Sequence, residues 1–341
     1  MDDPGMGERL VDAVASGFPD GKPDLRPVHT FGVGATGYFV ASDVARDFCV
    51  AEHFQGKQVP VTVRFSNGSG SSVQHDGCSD IRGMATRFHL ADGVATDLIA
   101  MTLGAFFTPT VETLLSFTEA TKPIPYRRES AWQKIFDMLR LIHPPLPDPC
   151  PPGQPTSPIP GAVQFADRHG YAQFPVFQGA LLGAPKSYAR ASYHAVHTFV
   201  VLASDGARRW VRFTWQPVAG VLNTDPKTPP VDKYLQQELR DRIAEAPARF
   251  ILMMSIGEAG DDFNDPSRPW PPRRVRVVMG TLTIDAVPED QVENCERLSF
   301  NPWRLVPGIE PSDDPILRAR RDAYEFSRRR RAGAACPFSG S

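Results

Sequence analysis

The stretch Val61-Thr62-Val63-Arg64-Phe65 decides the fold class, because apolar and polar residues alternate along it one by one. Alternation with a period of two is typical of a β-strand whose one face packs on a hydrophobic core. The same pattern recurs over Met84–Leu90, where Arg87 and His89 alternate with apolar residues. Further strands are expected at His197–Ala203, Trp210–Trp215 and Val275–Ile284. Short strands between Gly, Asp and Pro turns predict an antiparallel sheet or barrel.

Helical spacing marks four other segments, which are Pro109–Ala120, Ala131–Ile142, Lys233–Ala246 and Pro315–Arg331. The last has the clearest start, because Asp314 can cap the helix while Pro315 occupies the first turn. The fold class is therefore predicted to be α+β, with a dominant antiparallel β-barrel and added α-helices.

Two segments are predicted to lie outside regular structure. Residues 1–25 are polar and contain Gly and Pro, so we expect a loose N-terminal arm. Nine of the seventeen residues in 144–160 are proline, which excludes a helix or a central strand there. That stretch is expected to be an extended surface connector.

Composition excludes several classes of protein. The chain has 341 residues, 41% hydrophobic and 22% charged, as in an ordinary globular protein. Its net charge of −2 provides no global basic field for nucleic acid or an anionic membrane. The five cysteines form no CxxC pair, which argues against a disulfide framework or zinc ribbon and favours a reducing cytoplasm. The apolar runs are too short to span a bilayer.

Gly32-Val33-Gly34-Ala35-Thr36-Gly37 matches the dinucleotide-binding pattern GxGxxG, and Glu52 lies fifteen residues beyond it. The pattern needs a following helix whose N-terminus receives the pyrophosphate. Here the next residues, Tyr38-Phe39-Val40, favour a strand. We therefore interpret the glycines as turn formers between strands rather than as a nucleotide site.

The C-terminal helix carries the most informative spacing. Arg320 and Tyr324 are four residues apart, and Arg331 is seven beyond Tyr324, so all three share one helix face. A guanidinium beside the phenol would lower the tyrosine pKa and make the tyrosinate a ligand for ferric iron. A solvated basic face with one anchoring tyrosine has the same spacing, and spacing alone favours it. The eight histidines form no metal-binding pair.

Many short blocks, taken in order, give a more specific signal. They are Arg26-Pro27-Val28-His29, Gly34-Ala35-Thr36-Gly37-Tyr38-Phe39, Val63-Arg64-Phe65-Ser66, Asp80-Ile81-Arg82-Gly83-Met84-Ala85, Phe106-Phe107, His197-Thr198-Phe199, Phe263-Asn264 with Trp270, Leu298-Ser299-Phe300-Asn301-Pro302, Val306-Pro307-Gly308-Ile309-Glu310-Pro311-Ser312 and Arg320-Arg321-Asp322-Ala323-Tyr324. This ordered set resembles the haem catalase superfamily in its short, catalase-related peroxidase form.

The resemblance implies an antiparallel β-barrel with added helices that holds haem b. Tyr324 would be the axial ligand of the iron and Arg320 its partner; tyrosine ligation is a known property of catalase haem, not a deduction from spacing. His29 would move a proton between the peroxide oxygens, with Ser66 orienting it. The remaining cofactor-binding residues implied are Arg26, Arg64 and Arg331 for the propionates, together with Val28 and Phe106.

Two features depart from full-size catalases. Met101 aligns with their distal asparagine, and a thioether cannot donate the hydrogen bond that would position peroxide. The sequence also ends seventeen residues after Tyr324. Both favour a peroxidase that reduces hydrogen peroxide or organic hydroperoxides through a ferryl intermediate, with a small organic electron donor. We expect an arm at 1–25, one haem domain over 26–331, a tail at 332–341, and a homodimer.

Four alternatives stay open on the sequence. Within enzymes, they are true catalase activity, in which a second peroxide is the reductant, and rearrangement of a fatty-acid hydroperoxide. A β-barrel that only binds haem or lipid is a non-catalytic alternative, although it would need no proton-moving His29. A nucleotide-dependent enzyme would need a parallel βαβ pattern, which the sequence lacks.

Overall fold

The computed structural model describes residues 5–18, 25–71, 74–78, 80–121, 139, 161–225, 228 and 230–332. Its centre is an antiparallel sheet in the order β4-β3-β2-β1-β8-β7-β6-β5-β9. A further pairing of β4 with β5 closes eight strands into a barrel, and β9 adds beside β5. The strands are β1 Gly32–Ala41, β2 Gln58–Asn67, β3 Arg82–His89, β4 Ala95–Met101, β5 Tyr193–Leu202, β6 Arg208–Pro217, β7 Ala248–Ile256, β8 Arg276–Ala286 and β9 Ile309–Pro311.

Helices surround this barrel, so the predicted α+β class with an antiparallel β-barrel is confirmed. They are α1 Met6–Ser16, α2 Ala45–Phe48, α3 Val111–Ala120, α4 Ala162–Ala166, α5 Gly170–Leu181, α6 Tyr234–Glu245 and α7 Pro315–Ala332. Within the described ranges, none of these helices combines the length and the apolar composition needed to cross a membrane.

Aromatic side chains fill the barrel interior. The Phe39 ring lies 5.3 Å from Phe88, 6.2 Å from Phe54 and 6.1 Å from Trp215, each in an edge-to-face arrangement. Such pairs stabilise a core beyond the area that they bury. The largest void described beside Phe54 and Phe88 measures only about 20 Å³, so a binding site for a large cofactor has to lie outside the barrel.

Strand β2 explains how the barrel supplies polar residues to such a site. Val61, Val63 and Phe65 are buried in the barrel core, as their alternation predicts. Arg64 and Ser66, on the opposite face, are buried as well, and Arg64 is only 3% exposed. The alternating pattern predicted the pleat correctly, and it could not show that a further layer of chain covers the polar face.

The glycines at 32–37 lie within β1, so their interpretation as turns between strands was wrong. Glycine occurs in this strand because a neighbouring strand approaches it closely. A Cβ on Gly37 would lie 2.0 Å from the backbone carbonyl oxygen of Thr283 in β8. The strand continues to Ala41 without an intervening helix, which confirms that the GxGxxG match is not a nucleotide site.

Three of the four predicted helices are present as α3, α6 and α7. Helix α7 begins as predicted, because Asp314 Oδ1 accepts hydrogen bonds from the backbone N–H groups of Ile316, at 2.8 Å, and Leu317, at 3.1 Å. The predicted helix at Ala131–Ile142, apart from Leu139, and the proline-rich connector at 144–160 lie outside the described residues.

The predicted loose arm was wrong for Met6–Ser16, which forms helix α1. Leu10 and Val11 are buried in a cluster with residues of α3 and α7, and Asp12 forms a 2.7 Å ion pair with Arg330. The apolar residues of α1 recur at helical spacing inside an otherwise polar segment, and burial of that one face stabilises the helix. The division into arm, haem domain and tail stays a prediction.

Candidate active site

A cavity of about 1100 Å³ lies outside the barrel, against strands β2 to β5 and helices α1, α3, α5 and α7. Apolar side chains form much of its wall, with Leu10, Leu114 and Val176 among them. All ten residues that the sequence singled out line this cavity, namely Arg26, Val28, His29, Arg64, Ser66, Met101, Phe106, Arg320, Tyr324 and Arg331. The fold therefore brings the predicted site residues together in one place.

Four side chains form a hydrogen-bonded series that we call the tyrosine chain: Asp314, His197, Arg320 and Tyr324. Asp314 Oδ2 lies 2.6 Å from His197 Nδ1, and these side chains are only 1% and 2% exposed. His197 Nε2 lies 2.8 Å from Arg320 Nη1, and Arg320 Nη2 donates to the Tyr324 hydroxyl oxygen at 2.7 Å. The series connects a buried carboxylate to the phenol in the cavity wall.

The protonation of His197 follows from its two neighbours. Burial lowers its pKa, although Asp314 opposes this effect, so the ring is neutral at neutral pH. A neutral ring satisfies both contacts only with its proton on Nδ1, which then donates to Asp314 and leaves Nε2 to accept from Arg320. Arg320 is thereby held in place to donate its hydrogen bond to the Tyr324 oxygen.

The sequence predicted the Arg320–Tyr324 pair from its spacing, but it missed the other two members of the chain. Asp314 was assigned only as the helix cap, and His197 only as part of a matched block. Each of these two residues stands out in the sequence by itself. The contact between His197 and Asp314 does not, because 117 positions separate the two residues along the chain.

A second group, the histidine cluster, consists of His29, Ser66, Gly83 and Met101. His29 has a φ of 57°, in the left-handed region that is uncommon for residues other than glycine. Its carbonyl oxygen accepts from Arg64 Nη1 at 2.8 Å, and its backbone N–H donates to the Gly68 carbonyl oxygen at 3.2 Å. These contacts hold the backbone in that conformation.

The His29 ring lies between neighbouring strands. Its Nδ1 is 3.0 Å from Ser66 Oγ. Gly83 pairs with Ser66 on one side and with Met101 on the other. A Cβ on Gly83 would lie 2.8 Å from both His29 Nδ1 and Ser66 Oγ, so a larger residue there would displace the ring. This role of Gly83 is not visible in the sequence.

The charge state of His29 follows from where it lies. Burial lowers its pKa to about 4, and the nearby charges of Arg64 and Arg320 act in the same direction. The ring is therefore neutral at neutral pH and able to accept a proton. Met101, in contrast, presents a thioether to the cavity and cannot donate a hydrogen bond.

A third group, the arginine cluster, consists of Arg26, Arg64, Arg331 and Glu296. The side chain of Arg26 pairs with Glu296, and Arg64 Nε donates to Glu296 Oε1 at 2.8 Å. Arg331 Nη1 donates to the Glu296 backbone carbonyl at 3.0 Å. Burial would raise the pKa of Glu296, but the attraction of Arg64 and Arg26 outweighs it and holds the pKa to about 2.

The arginine cluster carries three guanidinium groups against one carboxylate, so it has an excess of buried positive charge. Burial, and next the charge of Arg26, lower the pKa of Arg331 to about 9. Arg331 Nε is buried and has no hydrogen-bond partner in the described part of the chain. This arrangement fits bound carboxylates. The sequence does not reveal Glu296, since its short π-helix, Val292–Glu296, lies 232 positions from Arg64 and 270 from Arg26.

Comparison with known proteins identifies the family. The family model described as Catalase matches residues 17–144 and 176–337. The chain belongs to the catalase family. A catalase-related peroxidase of Mycolicibacterium paratuberculosis is 31% identical over 331 residues, which cover 96% of this chain and 95% of that protein. A catalase-related peroxidase of Synechococcus elongatus is 27% identical and covers 88% of this chain and 81% of its own length.

Solved catalase structures share the fold of this catalase-family chain. A fungal catalase superposes with a TM-score of 0.71 at 23% identity, over 91% of this chain and 60% of its own. Catalase A from Saccharomyces cerevisiae gives 0.71 at 22% identity, over 90% and 61%. This chain thus spans about 60% of the length of these two solved catalases.

Catalase-family proteins bind haem and are oxidoreductases that act on peroxide, and this protein is an enzyme of that kind. A protein that only binds haem or lipid is therefore not supported. The residues in the cavity fit haem by their own chemistry. The tyrosine chain provides a phenol oxygen backed by a guanidinium, and the arginine cluster provides unneutralised positive charge with a free buried Nε.

Proposed function

We propose that this catalase-family enzyme is a haem b peroxidase, which reduces hydrogen peroxide or organic hydroperoxides with electrons from an organic donor. Bound haem supplies a redox-active iron. Tyr324 would hold the iron through its phenol oxygen, and Arg320 would orient that oxygen by its hydrogen bond. Arg26, Arg64 and Arg331 would bind the propionates, while Val28 and Phe106 would contact the ring of the cofactor.

His29 would move the proton that peroxide reduction requires. Its neutral ring accepts a proton from one peroxide oxygen at Nε2, the nitrogen turned away from Ser66, and returns it to the other oxygen so that water leaves. Ser66 fixes the ring orientation through Nδ1. The depressed pKa keeps the ring neutral, and therefore basic, at neutral pH.

Met101 is the observation that carries the preference for peroxidase turnover over dismutation. It lines the cavity within the histidine cluster, paired with Gly83, at the position that aligns with the distal asparagine of full-size catalases. Dismutation needs a second peroxide to be bound and oriented as reductant, and a thioether offers it no donor. Similarity to catalase-related peroxidases over nearly the whole chain supports the same proposal. Rearrangement of a fatty-acid hydroperoxide is not favoured.

The test is to express the protein with haem supplied, record its absorption spectrum, and add hydrogen peroxide. Oxygen release and guaiacol oxidation are then followed side by side. We expect guaiacol oxidation to exceed oxygen release. Rapid oxygen release without guaiacol oxidation would reject the peroxidase proposal, and absence of a Soret band would reject haem binding.

The Met101→Asn variant sharpens this test, with Met101→Leu as the matched control. Asparagine restores a hydrogen-bond donor, and one such bond is worth about 1 to 2 kcal/mol, or roughly tenfold in rate. We expect the ratio of oxygen release to guaiacol oxidation to rise by about that factor in Met101→Asn only. An equal ratio in both variants would show that Met101 does not set the preference.

We also propose a cytoplasmic homodimer. Cys49, Cys78 and Cys295 are free thiols in the structure, which suits a reducing compartment. Closed two-fold assemblies are the commonest homo-oligomers. Light scattering after gel filtration measures the oligomeric state directly, and a monomer would reject the dimer.

A further inference from the structure

We propose that exposed Trp210 is a second oxidation site, at which the enzyme takes electrons from phenols too bulky to enter the cavity. The electrons would pass inward through Phe263 and Trp270, which together with Trp210 we call the aromatic path. The inference rests on the peroxidase function proposed above, because that function requires electrons from an organic donor. It adds a second entry point for them.

Exposure and stacking single out the aromatic path. Trp210 is 40% exposed, although tryptophan is highly buried on average. Its ring stacks on Phe263 at 5.0 Å between centroids, with only 14° between the planes. Phe263 in turn meets Trp270 edge to face at 5.7 Å. Phe263 and Trp270 are both half-buried, so the three rings form a contiguous row that begins at exposed Trp210.

Arg212 continues this path toward the cavity. Its guanidinium lies 4.6 Å from the centroid of the Trp270 ring, and Arg212 is only 8% exposed. Hydrogen bonds to the carbonyl oxygens of Arg268, at 2.8 Å, and Asp265, at 3.1 Å, fix its position. Arg212 Nε also donates to Thr198 Oγ1 at 3.1 Å.

Thr198 joins the aromatic path to the tyrosine chain. It is the direct neighbour of His197, and His197 connects through Arg320 to Tyr324 by contacts of 2.8 and 2.7 Å. From Trp210 to Tyr324, each group therefore touches the next through stacking, a cation–π contact, a hydrogen bond or a covalent bond. Electron transfer between separated sites is favoured by a contiguous route of this kind.

The charge on Arg212 determines where the oxidised state rests. A guanidinium over an indole face stabilises the neutral ring and disfavours loss of an electron from it. Trp270 carries that contact, whereas Trp210 lies beyond Phe263 and faces solvent. The oxidised state is therefore more stable on Trp210 than on Trp270, and a donor can reach Trp210 from solvent.

The electrons and protons balance over one turnover. Peroxide takes up two electrons and two protons, and its O–O bond breaks to give two molecules of water. Each electron drawn inward leaves the Trp210 indole oxidised, with its N–H proton released to solvent. A phenol then gives one hydrogen atom to the indole and becomes a phenoxyl radical, so two phenols are oxidised for each peroxide.

The decisive comparison uses free tyramine against tyramine coupled to dextran, with haem-loaded enzyme and hydrogen peroxide. In Trp210→Phe, which keeps the stacking ring, we expect oxidation of dextran-coupled tyramine to fall by about tenfold or more. Oxidation of free tyramine should stay within about twofold, because it enters the cavity. The matched control is Trp303→Phe, a tryptophan that contacts Arg321 away from the path, and it should change neither rate.

A second readout does not depend on turnover of a donor. Peroxide is added without donor but with a nitroso spin trap, and trapped residues are located by peptide mass spectrometry. We expect an adduct on Trp210, its loss in Trp210→Phe, and its loss also in Phe263→Leu, which breaks the stack and keeps the tryptophan. An adduct that persists undiminished in Phe263→Leu would overturn the proposed route.

The outcomes separate this inference from the proposed function. If wild-type enzyme oxidises free tyramine but not the dextran conjugate, the outer site is rejected and the peroxidase function stands. The same holds if Trp210→Phe oxidises the conjugate as fast as wild type. If wild type oxidises neither form, the peroxidase function itself fails, and the outer site fails with it.

Discussion

The tyrosine chain and the histidine cluster line the same cavity, yet they are held in different ways. In the tyrosine chain, each side chain from Asp314 to Tyr324 is linked to the next by a hydrogen bond between side chains. In the histidine cluster, among the described residues, the ring of His29 is tied to the side chain of Ser66, and the strands and Gly83 enclose it.

This difference indicates that the tyrosine chain and the histidine cluster have different functions. A chain of buried hydrogen bonds fixes a proton arrangement and an orientation, which suits a group that must hold charge without changing. A neutral histidine with one ring nitrogen oriented and the other toward the cavity suits a group that exchanges a proton each turnover. The predictions below test the two halves separately.

The largest effect is expected from Tyr324→Phe, which removes the phenol oxygen at the end of the tyrosine chain. Without that ligand, ferric haem should bind weakly or with an altered Soret band, and peroxide reduction should fall by roughly a hundredfold or more. Absorption spectra and peroxide consumption measure both. Tyr38→Phe, on β1 and away from the cavity wall, is the control. An unchanged spectrum would reject Tyr324 as the ligand.

Replacing His29 in the histidine cluster should impair peroxide reduction without impairing haem binding. In His29→Gln, we expect the haem spectrum to be retained while peroxide reduction falls by roughly 10²–10⁴, the usual contribution of a positioned acid–base group. His194→Gln provides a comparison, because His194 is also a half-buried histidine that lines the cavity, but its Nδ1 lies 3.1 Å from Thr214 Oγ1. An equal loss of rate in both variants would contradict the special role of His29.

Asp314→Asn weakens the tyrosine chain at its far end and preserves the helix start. The asparagine oxygen can still accept from the N–H groups of Ile316 and Leu317. Its NH₂ group would then face His197 Nδ1, moving the ring proton to Nε2, where it opposes Arg320. We expect a shifted Soret band and about a tenfold loss of rate. An unchanged spectrum and rate would show that Asp314 and His197 do not influence the haem through Arg320 and Tyr324.

The smallest effects are two displaced pH dependences, of which the first belongs to His29. Since the pKa of His29 is about 4, its neutral form persists in acid, and the rate should have its acid half-point near pH 4 rather than near the ordinary 6.5. Between these values, the unfolded chain binds the proton and the folded chain does not. The free energy of unfolding of the haem-free protein should therefore fall as pH decreases from 6.5 toward 4. Rate profiles and urea unfolding measure the two effects, and a half-point near 6.5 would contradict the burial argument.

Glu296 should affect the free energy of unfolding in a separate, more acidic pH range. Its pKa is held to about 2, against an ordinary value of 4.5, by Arg64 and Arg26. Its contribution to stability is present above pH 4.5 and is lost as the pH falls toward 2. The Glu296→Gln variant should lack that second decrease in urea unfolding. A wild-type profile that is flat between pH 4.5 and 2 would contradict this assignment.

Local rules predicted much of the fold and of the site. The alternation of Val61 to Phe65 predicted a strand, and Asp314 with Pro315 predicted the start of α7, because both signals lie within a few residues. The spacing of Arg320 and Tyr324 likewise predicted a pair that the structure confirms at 2.7 Å. The ordered blocks added the family, which no single spacing could provide.

What the sequence missed depends on contacts between distant segments. Gly83 is required because two neighbouring strands bring His29 and Ser66 against it, and Gly37 because β8 lies close to it. Helix α1 is stabilised by a face shared with α3 and α7. Its helical spacing is easily overlooked because Gly and Pro residues flank it within 1–25. The role of Glu296 depends on its ion pairs with Arg26 and Arg64, which come from distant parts of the chain.

The arginine cluster also has a consequence for the order of synthesis and assembly. Arg26 and Glu296 are 270 positions apart, and Arg331 follows later still on α7. Contacts between such distant segments form slowly, since long loops must close first. A ribosome releases the chain from its N-terminus onward. The strands β1 to β4 can thus begin to pair during translation, whereas the arginine cluster is completed only once α7 has been synthesised, so that haem capture should follow the folding of α7.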